Sequence, residues 1–171
     1  MKIFYFLFAL RLSSIFISAF NEKKLKKAGS IEYGQKNSSV LIALHFVYYI
    51  SCFIEGFVKG NFLNDQIYQL GIAVYAFSII MLFYVIYSIR HIWTVKLIIA
   101  PKNIHIINTN LIFRLIRHPN YYLNIVPELI AVAIIFHAWY TLFIGFPLYL
   151  LPLTIRIRQE EKLMRTTFEE Y

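Results

Sequence analysis

The 171 residues are 59% apolar and 18% aromatic but only 15% charged, with a mean hydropathy of +0.60, whereas soluble chains carry roughly 25% charged residues. That balance excludes an ordinary soluble core and points to a chain crossing a membrane several times. The net charge of +8 does not indicate nucleic acid, because the basic residues gather at the ends of apolar runs, where membrane topology is encoded.

In chain order, the first predicted span runs from Ile3 to Phe20. Arg11 in its middle and the lack of a small-x-small cleavage site favour a retained helix over a signal peptide. A second span covers Ser38 to Val58 and holds Cys52, the single cysteine, so no intramolecular disulfide is available. The third covers Ile67 to Ile89. From Arg90 to Ile116 the composition is mixed, with Trp93 and an Ala100-Pro101-Lys102-Asn103 turn signal, and reads as an interfacial connector. The apolar stretch from Tyr121 to Leu153 is too long for one crossing of about 20 residues and is broken near His137 to Tyr140, giving a hairpin of two short spans. The prediction is an all-α polytopic membrane helix bundle of about five transmembrane helices, residues 1–171 forming a single domain. Asn21–Asn37, Ser88–Asn120 and the tail are rich in Lys and Arg, while Lys59–Gln66 has one lysine. Five spans put the three basic segments on one side, which the positive-inside rule makes cytoplasmic, N-out and C-in.

Polar residues inside such a chain are the candidates for chemistry. Arg117-His118-Pro119 stands at the threshold of the fourth span, where proline suits a first helical turn and free backbone N–H groups face the positive dipole end. Asn120, Asn124 and Glu128 follow at four-residue spacing on one face. The competing reading is an interfacial anchor, with Arg117 snorkelling to headgroups. Past the last span, Arg156-x-x-x-Glu160-Glu161 is either a solvated helix with Arg156–Glu160 and Glu161–Arg165 pairs or the far wall of a pocket shared with Arg117-His118. Arg11, His45, Cys52 and Glu55 lie within the first two spans; Arg11 and Glu55 are equally readable as a structural ion pair. No G-x-G-x-x-G or P-loop is present. The five histidines form no cluster suited to a di-iron or zinc centre, so no metal is expected.

The series Arg114-x-x-Arg117-His118-Pro119-x-Tyr121, a hairpin, Arg156-x-x-x-Glu160-Glu161 and Phe168-x-x-Tyr171 resembles the isoprenylcysteine carboxyl methyltransferase family, most specifically over about 90–171. The upstream half looks like a short bacterial branch, some of whose members accompany type III polyketide synthases and are thought to methylate lipidic pyrones or resorcinols. Leu123 stands where the family has glycine, Asn110-Leu111 replaces Thr-Gly, and Phe168-Glu169 replaces Phe-Gly; these departures bear on the acceptor more than on the cofactor. The resemblance implies a methyltransferase of the bacterial inner membrane, using S-adenosylmethionine from the cytoplasm and a lipid-like acceptor from the bilayer. It implies a cofactor pocket of Arg117, His118, Tyr121, Arg156, Glu160 and Glu161. His118 and Glu128 are the candidate catalytic groups, and Arg11, His45, Glu55 and Asn124 the candidate acceptor contacts. Rival readings are a phospholipid-amine N-methyltransferase, with Glu128 or His118 as base, and a non-catalytic transporter or scaffold.

Overall fold

With neither glycine nor proline before Gly29, the first apolar run forms one uninterrupted helix, α1 (Lys2–Lys27). It therefore extends through the lysine-rich stretch past the predicted end at Phe20. Gly29, at φ 83°, ends it by supplying the left-handed backbone of the closing turn. The computed structural model describes residues 1–60, 65–99 and 111–167. The order continues with β1 (Ile31–Tyr33), α2 (Gln35–Val58), α3 (Gln66–Ser88), β2 (Leu97–Ile99), α4 (Leu111–Leu115), α5 (Val126–Ile135) and α6 (Phe146–Thr167). The predicted Ala100–Asn103 turn, Asn110 and the Phe168–Tyr171 motif lie outside the described residues.

Two of these helices open with a π-helical segment: Asn120–Ile125 leads into α5 and Thr141–Gly145 into α6. In each case a proline, Pro127 or Pro147, follows the wide turn by two residues. A proline nitrogen cannot donate to the preceding turn and its ring crowds the carbonyl four residues back, so the backbone ahead widens to relieve both. The predicted break near His137 is also present. His137 takes φ 51°, and the turn closes through Ala138 N–H donating to the Ala133 carbonyl at 2.8 Å.

Among the described residues four helices are long and apolar enough to cross a membrane: Lys2–Lys27, Gln35–Val58, Gln66–Ser88 and Thr141–Thr167. The fourth predicted span, Asn120–Ile135, is shorter, six π-helical and ten α-helical residues, and falls below the roughly 20 residues an upright crossing needs. Its burial accounts for that tolerance. Leu129, Ala131, Val132, Ala133 and Ile135 are essentially inaccessible, so α5 is the bundle's interior helix and its neighbours present the outer apolar surface. Phe16, Phe20, Phe57, Ile80 and Phe143 are among the large side chains facing outward, as a surface in contact with hydrocarbon requires.

The two ends of the bundle are fixed by different contacts. At one end β1 and β2 pair antiparallel, Ile31 with Ile99 and Tyr33 with Leu97, tying the α1–α2 loop to the segment after α3. The connector after α3 therefore contains a strand that its mixed composition does not announce. At the other end His137 Nε2 lies 3.1 Å from Asp65 Oδ2. Asp65 also caps α3, accepting from Tyr68 N–H at 2.8 Å. Glu55 accepts from the N–H groups of Tyr140 (3.0 Å) and Thr141 (2.9 Å) and from the Thr141 hydroxyl (2.8 Å). The three basic segments thus share the first end, whereas Glu55 and Lys59 belong to the second.

Close approach of α5 to its neighbours depends on glycine. A Cβ on Gly56 would meet the Phe136 carbonyl oxygen at 2.7 Å, and one on Gly71 would meet the Ile135 side chain at 2.8 Å. Because a carbonyl cannot rotate away as a side-chain tip does, Gly56→Ala should cost about 1–3 kcal/mol. Thermal unfolding in detergent micelles tests this, and an unchanged Tm would contradict the packing.

Candidate active site

Folding α5 and α6 back to back returns the second charged motif to the first. Proline at 119 stands directly before the π turn, and the N–H groups of Tyr121 and Tyr122 both donate to the His118 carbonyl (3.1 and 3.2 Å). This turns Tyr121 inward against α6. Its hydroxyl donates to Glu160 Oε2 at 2.5 Å and accepts from Arg156 Nε at 3.2 Å. His118 stacks on the Tyr121 ring, centroids 5.7 Å apart. His118 Nδ1 lies 3.5 Å from Glu160 Oε1 and Nε2 lies 3.4 Å from Glu161 Oε1. The expected Arg156–Glu160 and Glu161–Arg165 pairs do not form among the described residues; the helix turns these groups toward the α5 threshold instead.

Arg156 is buried, at 4% exposure, and spends its donors on neutral oxygens: Tyr121 through Nε, Ser38 Oγ through Nη1 (2.5 Å) and the Val95 carbonyl through Nη2 (3.0 Å). No carboxylate forms an ion pair with it among the described residues. Glu160 balances it only across the Tyr121 hydroxyl, and a buried cation with no carboxylate in direct contact can still take an anion.

Two cavities meet at Arg156. The smaller, of about 140 Å³, is lined by Arg117, His118, Tyr121, Arg156 and Glu160 together with Trp93 and β2. The larger, of about 300 Å³, runs between α1 and α2 past Phe8, Leu12, Ile15 and Phe46, with Arg11, His45, Tyr49, Asn124 and Tyr149 on its wall. Asn120, Tyr121, Arg156, Trp93, Thr94 and Lys96 line both. The connector bearing the last three is pinned by α1. Ser18 Oγ accepts from Val95 N–H (2.9 Å), Asn21 donates to the carbonyls of Arg90 (2.7 Å) and Trp93 (2.8 Å), and Glu22 pairs with Lys96 (2.7 Å).

Beneath the larger cavity lies a buried polar cluster. Glu128 is fully buried, and its Oε1 accepts from Arg11 Nε at 2.7 Å and from the Tyr49 hydroxyl at 2.6 Å, with His45 Nε2 at 3.3 Å. In the amide orientation its neighbours require, Asn124 donates to Glu128 Oε2 and the Ser78 carbonyl, each at 3.3 Å. The Arg11–Glu55 pair is therefore corrected: the partner of Arg11 is Glu128, on α5, because Glu55 lies two turns further along α2 at the opposite end.

Of the sequence candidates, five of the six cofactor residues line the smaller cavity. Arg117 does so from an exposed position, and Glu161 stands behind His118. Arg11, His45 and Asn124 line the larger one, while Glu55 lines neither. Ser38, Tyr49, Trp93, Val95 and Tyr149 were not anticipated. Tyr149 carried a signal, since it precedes Arg156 by seven residues and so shares its helix face.

The chain matches the isoprenylcysteine carboxyl methyltransferase (ICMT) family over residues 70–166, which contains the α5–α6 hairpin and both charged motifs. Among curated relatives, an uncharacterized protein of Haemophilus influenzae is 45% identical over 160 residues, covering 94% of this chain and 91% of that one. The uncharacterized protein YpbQ of Bacillus subtilis is 24% identical over 156 residues, covering 91% and 90%. No solved structure matches.

Two measurements probe the site's electrostatics. Arg11→Leu strands the Glu128 carboxylate and should destabilise the fold by about 3–5 kcal/mol, with Arg11→Leu/Glu128→Leu recovering part of the loss; a double variant no better than the single would contradict the pairing. For His118, burial opposes the charged imidazolium, but the Glu160 and Glu161 carboxylates outweigh it and raise its pKa above 6.5. Its stabilising contribution is therefore complete below about pH 6.5 and fades as pH rises through the higher folded value. The Tm gap between the parent and His118→Gln should accordingly narrow above that pH; a widening gap would overturn the ion pairing.

The site thus lies where the interior helix α5 and the outer helix α6 meet in a membrane-type helix bundle, and the chain that builds it belongs to the isoprenylcysteine carboxyl methyltransferase family.

Proposed function

We propose that the protein is an S-adenosylmethionine-dependent membrane methyltransferase acting on an oxygen of a lipophilic acceptor, either a carboxylate or an acidic enol or phenol. The observation that carries this reading is Arg156, a buried guanidinium with no carboxylate in direct contact among the described residues, at the junction of a polar and an apolar cavity. The smaller cavity suits the cofactor chemically. Arg156 and Arg117 offer forked donors to an amino-acid carboxylate, Glu160 accepts from ribose hydroxyls, and Tyr121 and Trp93 offer faces to a sulfonium. The buried Nε1 of Trp93 makes no hydrogen bond, so the wall also holds a polar atom awaiting a partner.

When bound, S-adenosylmethionine supplies an electrophilic methyl group. The chain's own contribution is alignment and exclusion of water. Arg156 and Tyr121 belong to both cavities and register one occupant against the other. Phe8, Leu12, Ile15 and Phe46 accept an acyl or alkyl chain arriving from the bilayer between α1 and α2. We assign the basic end to the cytoplasm by the positive-inside rule, which sets the protein N-out and C-in in the inner membrane, the interior hairpin counting as the fourth and fifth passes.

Calorimetry in nanodiscs tests the reading. Adenosylmethionine or adenosylhomocysteine should bind, and Glu160→Gln and Arg117→Ala should each weaken binding about tenfold or more, roughly 1.4 kcal/mol, with the helical fold retained by circular dichroism. Absence of binding sinks the enzyme reading and leaves a transporter or scaffold. Labelled methyl transfer into extracted lipid then distinguishes base-labile esters from ethers and methylated amines.

A further inference from the structure

The larger cavity is apolar along α1 and α2, with polar and basic groups set into its wall. Among the described residues His45 is the only histidine there, and oxygens bracket the ring: Glu128 Oε1 lies 3.3 Å from Nε2 and the Tyr149 hydroxyl 3.4 Å from Nδ1. The His45 side chain is 19% exposed and that of Glu128 is 0% exposed, so the carboxylate reaches an occupant only through the groups that contact it, of which the imidazole is the one able to act as a base. The other charged or titratable groups of the cluster are engaged with one another. Arg11 binds Glu128 Oε1 and Ser14 Oγ, and Tyr49 donates to the same carboxylate oxygen while its hydroxyl lies 3.2 Å from that of Tyr75. Arg11, Tyr49 and Asn124 already satisfy the carboxylate. The imidazole adds something packing does not need, a base at the cavity surface.

We propose that His45, oriented by Glu128, takes the proton of a hydroxyl-bearing acceptor in the larger cavity. This rests on the methyl-transfer reading above and narrows its acceptor class. With Nε2–H donated to Glu128, the Nδ1 lone pair is the free base, and the acceptor hydroxyl meets it beside Tyr149. In the step the acceptor's O–H bond breaks and its proton goes to Nδ1. The oxygen pair forms the new C–O bond to the methyl of the sulfonium donor, and the pair of the broken C–S bond stays on sulfur. Glu128 stabilises the imidazolium, as carboxylates do behind catalytic histidines, and Arg11 holds Glu128 in place at 2.7 Å. A carboxylate acceptor needs a free cation instead of a base. On this wall Arg11 is held by Glu128 and Lys96 by Glu22, and Arg156 is assigned to the cofactor's own carboxylate.

The test uses a long-chain 4-alkyl-2-nitrophenol, whose visible absorbance reports its ionisation, titrated on the full chain in nanodiscs without cofactor. Bound to the parent protein, the probe should ionise about one pH unit or more below its value when bound to His45→Gln or His45→Asn. Tyr149→Phe should leave the difference in place. In turnover of an alkylphenol, His45→Gln should lower kcat about 100-fold, with acceptor KM and adenosylhomocysteine affinity unchanged. The inference is overturned if the probe fails to bind the parent, if it ionises alike in parent and variants, or if kcat falls less than about threefold. Because the titration needs no cofactor, it separates this inference from the methyltransferase reading. Cofactor binding with an unshifted probe removes only the role of His45.

Discussion

A single carboxylate organises the bundle. Glu128 sits on the interior helix with no access to solvent, and every helix around it reaches it directly or through one intermediary. Arg11 comes from α1, Tyr49 and His45 from α2, Tyr75 from α3 through Tyr49, and Tyr149 from α6 through His45. Apolar surfaces facing hydrocarbon do little to choose one helix arrangement over another, since lipid is as apolar as leucine. A buried charge chooses strongly, because any arrangement leaving it unpaired is heavily disfavoured. The register of four helices is thereby set at the first turn of α5, midway along the Asn120–Ile135 run, while Gly56 and Gly71 let the backbones come close.

From that fixed centre the two ends diverge in purpose. At one end Glu55 and Asp65 hold the hairpin turn by hydrogen bonds to backbone and to His137, with neither cavity nearby. At the other, the β1–β2 pair and the polar side of α1 hold the Trp93–Lys96 connector over Arg156. The widened turn after Pro119 carries Tyr121 and His118 against α6. Such π turns recur at functional positions because they redirect side chains without breaking the helix, and this one delivers a tyrosine hydroxyl between a buried arginine and a glutamate.

Much of this arrangement was legible in the residues. The hairpin was readable from the length of the apolar stretch and its interruption at His137, and bringing Arg117-His118 to Arg156 and Glu160-Glu161 followed from that geometry. The alignment of Asn120, Asn124 and Glu128 on one face was readable from spacing. What escaped was whatever depends on which helices neighbour one another. Spacing alone leaves Arg11 free to pair with Glu55 or to serve a site, whereas the packing of α1 beside α5 delivers Glu128 to it and places Glu55 on the hairpin turn. The strands were invisible, since three residues carry no periodicity and their pairing joins segments far apart in the chain. Hydropathy alone also does not separate lipid-facing from protein-facing helices: the short α5 is as apolar as its neighbours although it packs against protein.

The wall common to the two cavities has a consequence for how they fill. Six residues line both, so the position an occupant of one imposes on Trp93, Tyr121 or Arg156 is the position the other must accept. Binding in the two chambers is therefore linked, and linkage is reciprocal: whatever factor the first ligand applies to the second's affinity, the second applies to the first. An anion at Arg156 would be felt in both chambers at once, so the affinity of each chamber for its occupant would depend on whether the other is filled.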